Sequence, residues 1–85
     1  MNTFNLSISS PDGEVFNESV LRIIVRGSEG ELAVMAKHIP FVTTIKSCEC
    51  KILMENDMEK IGYADGGILT VSDDKVTLLS SSFHW

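Results

Sequence analysis

The chain has 85 residues, of which 44% are hydrophobic and 22% are charged, and its formal net charge is −5 at pH 7. A chain of this length folds as one small domain, so we expect a single domain over residues 1–85. An acidic chain without a basic stripe repels phosphate backbones, which argues against nucleic-acid binding. No apolar run approaches the roughly 20 residues that cross a bilayer, and no signal peptide is visible, so a cytosolic location is expected.

The first part of the chain alternates short apolar segments with turn residues. Residues 4–8 have the period-two spacing of a half-buried strand. The sequence Ser-Pro-Asp-Gly at 10–13 predicts a β-turn, because proline fixes φ and glycine tolerates positive φ. We therefore expect a hairpin, with a second strand at 14–17 and a third strand, rich in β-branched residues, at 19–26.

The corner Gly27–Pro40, written GSEGELAVMAKHIP, is the stretch around which the chain is organised. Gly27 and Gly30 bracket a Ser-Glu pair, as in a tight turn that holds acidic side chains at its tip. A short apolar strand follows. Pro40 ends the segment, because proline removes a backbone donor that a central strand needs. The corner is expected to present its side chains in fixed positions.

The rest of the chain continues the pattern of short strands and turns. Strands are expected at 41–46, 48–54, 59–65, 68–72 and 76–80. Asp65, Gly66 and Gly67 predict a bulge or a sharp bend, and the serines at 80–82 are expected to end the packed region. Even spacing without helical periodicity predicts an all-β fold, a small antiparallel β-sandwich of about nine to ten short strands.

Apolar residues near the corner exceed what one buried face can hold. In the second strand Val15 and Phe16 are adjacent, so they cannot both face the core, and Phe16 is the residue expected to serve a contact. With the apolar residues around Pro40 it predicts an exposed apolar patch. The patch consists of Phe16, Ile39, Phe41 and Val42.

Candidate catalytic and metal-binding groups are few. His38 has no Ser, Cys or carboxylate at the spacing of a triad, so no enzymatic activity is expected. Cys48 and Cys50 would lie on one face of a strand with Cα atoms about 6.7 Å apart, near the upper limit for a disulfide, which favours buried thiols. Zinc needs four ligands, and only His38 and His84 remain as partners, so no metal or cofactor is expected.

Four short motifs, in order along the chain, resemble one known family. They are SPDGEVF at 10–16, GSEGEL at 27–32 followed by His38 and Pro40, GGILTV at 66–71, and DKVTLL at 74–79. The sequence resembles the epsilon subunit of F-type ATP synthases over essentially its whole length. It departs from the family at Met35, Ala36 and Lys37, where a proline and a glycine are common. The family usually continues into a C-terminal pair of helices, which these residues do not include.

The resemblance implies a non-catalytic central-stalk subunit of a rotary F-type ATP synthase. Such a subunit links the gamma shaft subunit to the c-ring and couples proton or ion flow to ATP synthesis. The implied c-ring contacts are Ser28, Glu29 and Glu31, whose carboxylates can pair with basic loops. The implied gamma-subunit contacts are Ser10 and His38, and we assign the apolar patch to the same partner. The resemblance also implies a peripheral position on the cytoplasmic face of the bacterial inner membrane, without the inhibitory role of the family's helices.

A free-standing β-sandwich that binds a ligand or another protein is the alternative hypothesis. It would use the same corner as the mouth of a binding site. Small-molecule binding requires an enclosed apolar pocket with a few convergent polar groups. The shape of the surface at the corner therefore discriminates between the two hypotheses.

Overall fold

A computed structural model, which describes residues 2–37, 39–73 and 75–85, forms seven β-strands within these ranges. They are β1 (Phe4–Ser10), β2 (Gly13–Gly27), β3 (Gly30–Met35), β4 (Phe41–Met54), β5 (Glu59–Val71), β6 (Lys75–Ser80) and β7 (Phe83–His84). The predicted all-β class is confirmed. In the same ranges there is no helix of the length and apolarity needed to span a membrane.

The strands form one continuous sheet that folds into two layers. Neighbours follow the order β1-β6-β5-β4-β2-β3, and additional pairing of β1 with β2 closes five of the strands into a ring. The pairings are antiparallel apart from that of β1 with β6, which is parallel. Strand β7 pairs with β5 beyond the end of β6. Closure leaves few open edges, which suits a domain of this size.

The long strands β2, β4 and β5 take part in both layers. The first half of β2 pairs with β1, and its second half pairs with β3 and β4. Strand β5 pairs with β7 near its start and with β6 near its end. Turn-forming residues lie inside these long strands, so the sequence predicts more and shorter strands. In the structure these residues form bends, and each strand continues on both sides of its bend.

The bend in β5 lies at Asp65–Gly67, where the sequence predicts a bulge or a bend. Gly66 has a φ of 75° and Gly67 a φ of 152°, both in the region that favours glycine. The Ser47 hydroxyl of β4 donates a hydrogen bond of 2.6 Å to the Asp65 carboxylate. Pairing of β4 with β5 keeps the same register on both sides of the bend. The bend is therefore a sharp turn in a continuous strand rather than a register shift.

The core lies between the two layers and consists of inward-facing aliphatic residues. The fully buried aliphatic side chains are Leu6, Ile8, Val20, Ile23, Val25, Val34, Ile52, Leu69, Val76 and Leu78. Alternation of buried and exposed positions along β6 and in parts of β4 follows the period of two that the sequence shows. Burial of these residues, together with the ring of strands, fixes the position of the corner.

The prediction that Phe16 belongs to an exposed apolar patch is wrong. Phe16 is 6% exposed, whereas Val15 faces solvent. The ring of Phe16 meets that of Trp85 edge to face at 5.5 Å between centroids, and Trp85 also meets Phe83, which is buried. The residues after the serines at 80–82 fold back and cover Phe16, so the packed region does not end at those serines.

Candidate protein-interaction surface

The hairpin between β2 and β3 holds acidic side chains on a fixed backbone. Gly27 pairs with Gly30, which leaves Ser28 and Glu29 as a two-residue turn. Gly30 has a φ of 122°, a conformation that other residues rarely adopt. Ser28 and Glu29 are exposed. The predicted tight turn is confirmed, and its local sequence explains it.

Glu31 lies beside this turn, on β3, and is also exposed. Arg26 of β2 stands directly opposite Glu31 in the strand register. Opposite charges in such positions attract modestly and help to set the register. The hairpin therefore offers two carboxylates, those of Glu29 and Glu31, to a partner that carries basic groups.

A shallow depression of about 320 Å³ joins the hairpin to the start of β4. Its lining includes Ser28, Glu29 and Glu31 on one side and Phe41 and Val42 on the other. From the sequence, the residues on the two sides of the depression are predicted to contact two different partners. The structure brings them together, so the acidic hairpin and the apolar residues of β4 form one continuous surface.

Exposed apolar side chains continue from the depression across the outer face of one layer. Val42, which is 67% exposed, pairs with Thr70 of β5, and Ile68 lies two residues earlier on the same face. Ile68 stands opposite Leu79 of β6, and both are about half exposed. We call Val42, Ile68 and Leu79 the outer-face strip. Of these three residues, only Val42 is predicted from the sequence to make a contact. The outward positions of the GGILTV and DKVTLL motifs are the signal for Ile68 and Leu79.

The remaining predicted contact residues border this strip or fall outside the described part of the chain. Ile39 is 78% exposed, just before β4. Phe41 is partly buried against the core. Ser10 ends β1 and is partly exposed, and its neighbour Ser9 pairs with Leu79 of the strip. His38 lies outside the described residues.

Cys48 and Cys50 are free and buried, as predicted. Burial, with a smaller contribution from the neighbouring Cys48 thiol, raises the pKa of Cys50 to about 12. Among the residues that the structure describes, no group of three or more His, Cys, Asp or Glu side chains is placed to hold a metal ion.

The raised pKa of Cys50 predicts that the free energy of unfolding decreases as the pH rises above about 9. The ordinary pKa of this thiol is 9.0 and its folded pKa is about 12, so its contribution is complete below pH 9 and is lost between these values. The slope approaches about 1.4 kcal/mol per pH unit. Urea unfolding at about pH 8 and about pH 10 measures it. Cys50→Ala is the control, and an equal loss of stability in both proteins would contradict the assignment.

The fold and this surface define a small β-sandwich domain that presents an acidic hairpin beside exposed apolar side chains. The family model described as ATP synthase, Delta/Epsilon chain, beta-sandwich domain matches residues 3–85, and the chain belongs to this family. The "ATP synthase epsilon chain, sodium ion specific" of Acetobacterium woodii is 34% identical over 83 residues, covering 98% of this chain and 62% of that relative. The chain thus spans about three-fifths of the length of this relative.

Two solved structures contain chains with the same fold. One is the cryo-EM structure of the Euglena gracilis mitochondrial ATP synthase, OSCP/F1/c-ring in rotational state 1. Its matching chain has a TM-score of 0.90 at 23% identity, with 95% of this chain and 52% of that chain covered. The other is the central stalk/c-ring of the Tetrahymena thermophila mitochondrial ATP synthase, with a TM-score of 0.81, 16% identity and coverage of 93% and 63%. At these identities the likeness establishes the fold.

The alternative hypothesis of a small-molecule binding module requires an enclosed pocket. The depression at the hairpin is open to solvent, and so is a second one of about 350 Å³ whose lining includes Leu21, Arg22, Met35 and Leu53. Both volumes are at the lower end of the range for ligand sites, which bury most of the ligand. The shape of the described surface therefore favours contact with a macromolecule.

Proposed function

We propose that this domain is a non-catalytic central-stalk component of a rotary F-type ATP synthase. It links the gamma subunit to the c-ring and couples ion flow to ATP synthesis. The observation that carries the proposal is the continuous surface formed by the acidic hairpin and the exposed apolar residues beside it. Membership of the delta/epsilon family and the epsilon-chain relative support it. On this proposal the domain is peripheral to the membrane, on the cytoplasmic face of the bacterial inner membrane.

The hairpin is the proposed contact with the c-ring. Ser28 offers a hydroxyl, and Glu29 and Glu31 offer carboxylates that stay in water until a partner binds. Exposed charges of this kind contribute modestly to affinity, but they choose the partner and fix its orientation. A partner loop with Lys or Arg side chains fits this chemistry. The pairing of β2 with β3 beside the turn limits the movement of these carboxylates.

The outer-face strip, together with Ile39 and Phe41, is the proposed contact with the gamma subunit. Removing an exposed aliphatic side chain from water contributes on the order of 1 kcal/mol. Several such side chains on one face provide the apolar centre that a stable interface needs. Ser10 and His38 are proposed to border the same contact. Phe16 is not part of it, because Phe16 is buried beneath Trp85.

Coupling on this proposal is mechanical. The two contact sets lie on one domain whose strands are joined in a closed ring, so a rotation of one partner is passed to the other through the sheet. The long strand β4 begins at the proposed gamma contact and, through its pairing with β2, reaches the base of the hairpin. A rigid sheet of this kind transmits torque without a conformational change of its own.

Binding to the isolated gamma subunit tests the proposal. We expect Val42→Glu to weaken the complex by at least tenfold, because it places a charge in the apolar centre of the contact, where an unpaired buried charge costs more than about 1.4 kcal/mol. Isothermal titration of this chain into the gamma subunit gives the dissociation constant directly.

Met58→Glu is the matched control for this experiment. Met58 is 64% exposed and lies in the turn after β4, at the other end of the strand from Val42. It adds the same charge at a similarly exposed apolar position, so we expect an unchanged dissociation constant. Absence of saturable binding by the unmodified chain, or equal weakening by both substitutions, would remove the gamma subunit as the partner of this face.

A further inference from the structure

An irregularity between β2 and β4 opens a cavity that the proposed function does not use. Ile24 pairs with Lys51 and Gly27 pairs with Ile45, so two residues of β2 face five residues of β4 between these pairs. A cavity of about 180 Å³ lies at this position, and Cys48 is one of its lining residues. Hydrogen peroxide and other small reagents are far smaller than this volume. The gap in the pairing therefore gives them a path to the Cys48 thiol.

The Cys48 thiol has two neighbouring groups. The backbone N–H of Arg26 donates a hydrogen bond of 3.4 Å to the Cys48 sulfur. Cys50 lies two residues further along β4, on the same buried side of the strand, and its nearness to Cys48 contributes to the raised pKa of the Cys50 thiol. Cys50 is fully buried and does not line the cavity, whereas Cys48 is 8% exposed. One thiol is thus reachable from the cavity, and the second is fully buried two residues further along the same strand.

We propose that Cys48 and Cys50 form a peroxide-reactive pair, in which Cys48 is oxidised first and Cys50 then resolves it. In the first step the Cys48 sulfur attacks one peroxide oxygen, the O–O bond breaks, and the products are a sulfenic acid and one water. In the second step the Cys50 sulfur attacks the sulfenic sulfur, the S–O bond breaks, and a disulfide and a second water form. The pair loses two hydrogens, and the peroxide is reduced to water.

The separation along β4 that favours free thiols in the reduced chain strains the disulfide and makes it reversible. Residues two apart in an extended strand have Cα atoms about 6.7 Å apart, near the upper end of the range for disulfides. Disulfides at this limit are more easily reduced than relaxed ones. The cavity that admits the peroxide also admits a small thiol reductant. Glu31 and Arg26 line the same cavity, so the reaction takes place at the base of the acidic hairpin.

Mass mapping of the whole chain after exposure to hydrogen peroxide tests this proposal. We expect the unmodified sequence to form an intramolecular disulfide between Cys48 and Cys50 that dithiothreitol reverses. Cys50→Ala should stop at the first step, so that dimedone labels Cys48 as a sulfenic acid. Cys48→Ala should leave Cys50 unmodified over the same period, because the buried thiol has lost its accessible partner.

Pulsed alkylation of the unmodified sequence gives a readout that does not depend on either variant folding. We expect iodoacetamide to label Cys48 faster than Cys50, on the order of tenfold or more, because only local access is needed at Cys48. Equal labelling rates of Cys48 and Cys50 would overturn the proposal, because both thiols would then react through global unfolding. Oxidation of Cys50 in Cys48→Ala to the same extent as in the unmodified sequence would overturn it for the same reason. The proposal would also be overturned if hydrogen peroxide oxidised the thiols of the urea-unfolded chain but not those of the folded protein.

Discussion

Gly67→Ala is expected to destabilise the domain by about 3–5 kcal/mol, a large fraction of the about 4–13 kcal/mol expected for a domain of 85 residues. A Cβ at this position would overlap the backbone carbonyl oxygen of Leu79. That oxygen belongs to β6, which β1 and β5 hold on both sides, so it has no room to move away. The φ of 152° at Gly67 adds backbone strain for any L side chain. Urea unfolding followed by the fluorescence of Trp85, the single tryptophan, gives the difference.

Gly13→Ala separates backbone strain from steric overlap as causes of the lost stability. Gly13 has a φ of 124°, but a Cβ there would meet nothing within 4 Å. Backbone strain alone costs on the order of 1–2 kcal/mol, so we expect Gly13→Ala to lose less than half as much stability as Gly67→Ala. Similar losses in the two variants would mean that the close approach of β6 to the bend contributes little.

Local turn chemistry accounts for the parts of the fold that the sequence predicts correctly. The turns at 10–13 and 27–30 each contain a glycine with positive φ, and both form where the sequence places them. The bend at Asp65–Gly67 is also found in place. In each case residues adjacent in sequence determine the conformation, so composition is enough to locate it. The apolar alternation of the first strand likewise follows from neighbouring residues.

Features that depend on residues far apart in the sequence could not be predicted from local composition. Phe16 is buried because Trp85, whose ring also meets that of Phe83, returns from the far end of the chain to pack against it. The described residues form fewer strands than predicted, because β4 and β5 remain paired with each other on both sides of the bend. The parallel pairing of β1 with β6 is a property of the closed ring.

The same limit applies to the candidate site. The exposed acids at the hairpin were predictable, because a two-residue turn leaves its side chains in solvent. The outer-face strip was not, since Val42, Ile68 and Leu79 come from three strands and meet only through the register of the sheet. Its assembly also shows that the exposed acidic and apolar residues adjoin one another.

Reversing both hairpin charges, with Glu29→Lys and Glu31→Lys together, is expected to weaken binding of the domain to a purified c-ring by about 10- to 100-fold. Each exposed ion pair contributes on the order of 0.2–1 kcal/mol, and reversal replaces attraction by repulsion of similar size, so the two reversals together cost about 0.8–4 kcal/mol. A 10- to 100-fold change corresponds to about 1.4–2.8 kcal/mol, the middle of this range. The measurement is the dissociation constant for the purified c-ring, at low and at high salt. The difference between the two proteins should shrink at high salt, because exposed charges are screened.

Glu55→Lys is the matched control for the charge reversal. Glu55 is an exposed acid in the turn after β4, outside the hairpin and its depression, so its reversal should leave the dissociation constant unchanged. Binding of the doubly substituted protein to gamma alone should also be unchanged, because the outer-face strip is intact. If gamma binding falls as much as c-ring binding, the acidic hairpin and the strip act as one contact with the gamma subunit. The c-ring would then have to meet a different face of the domain.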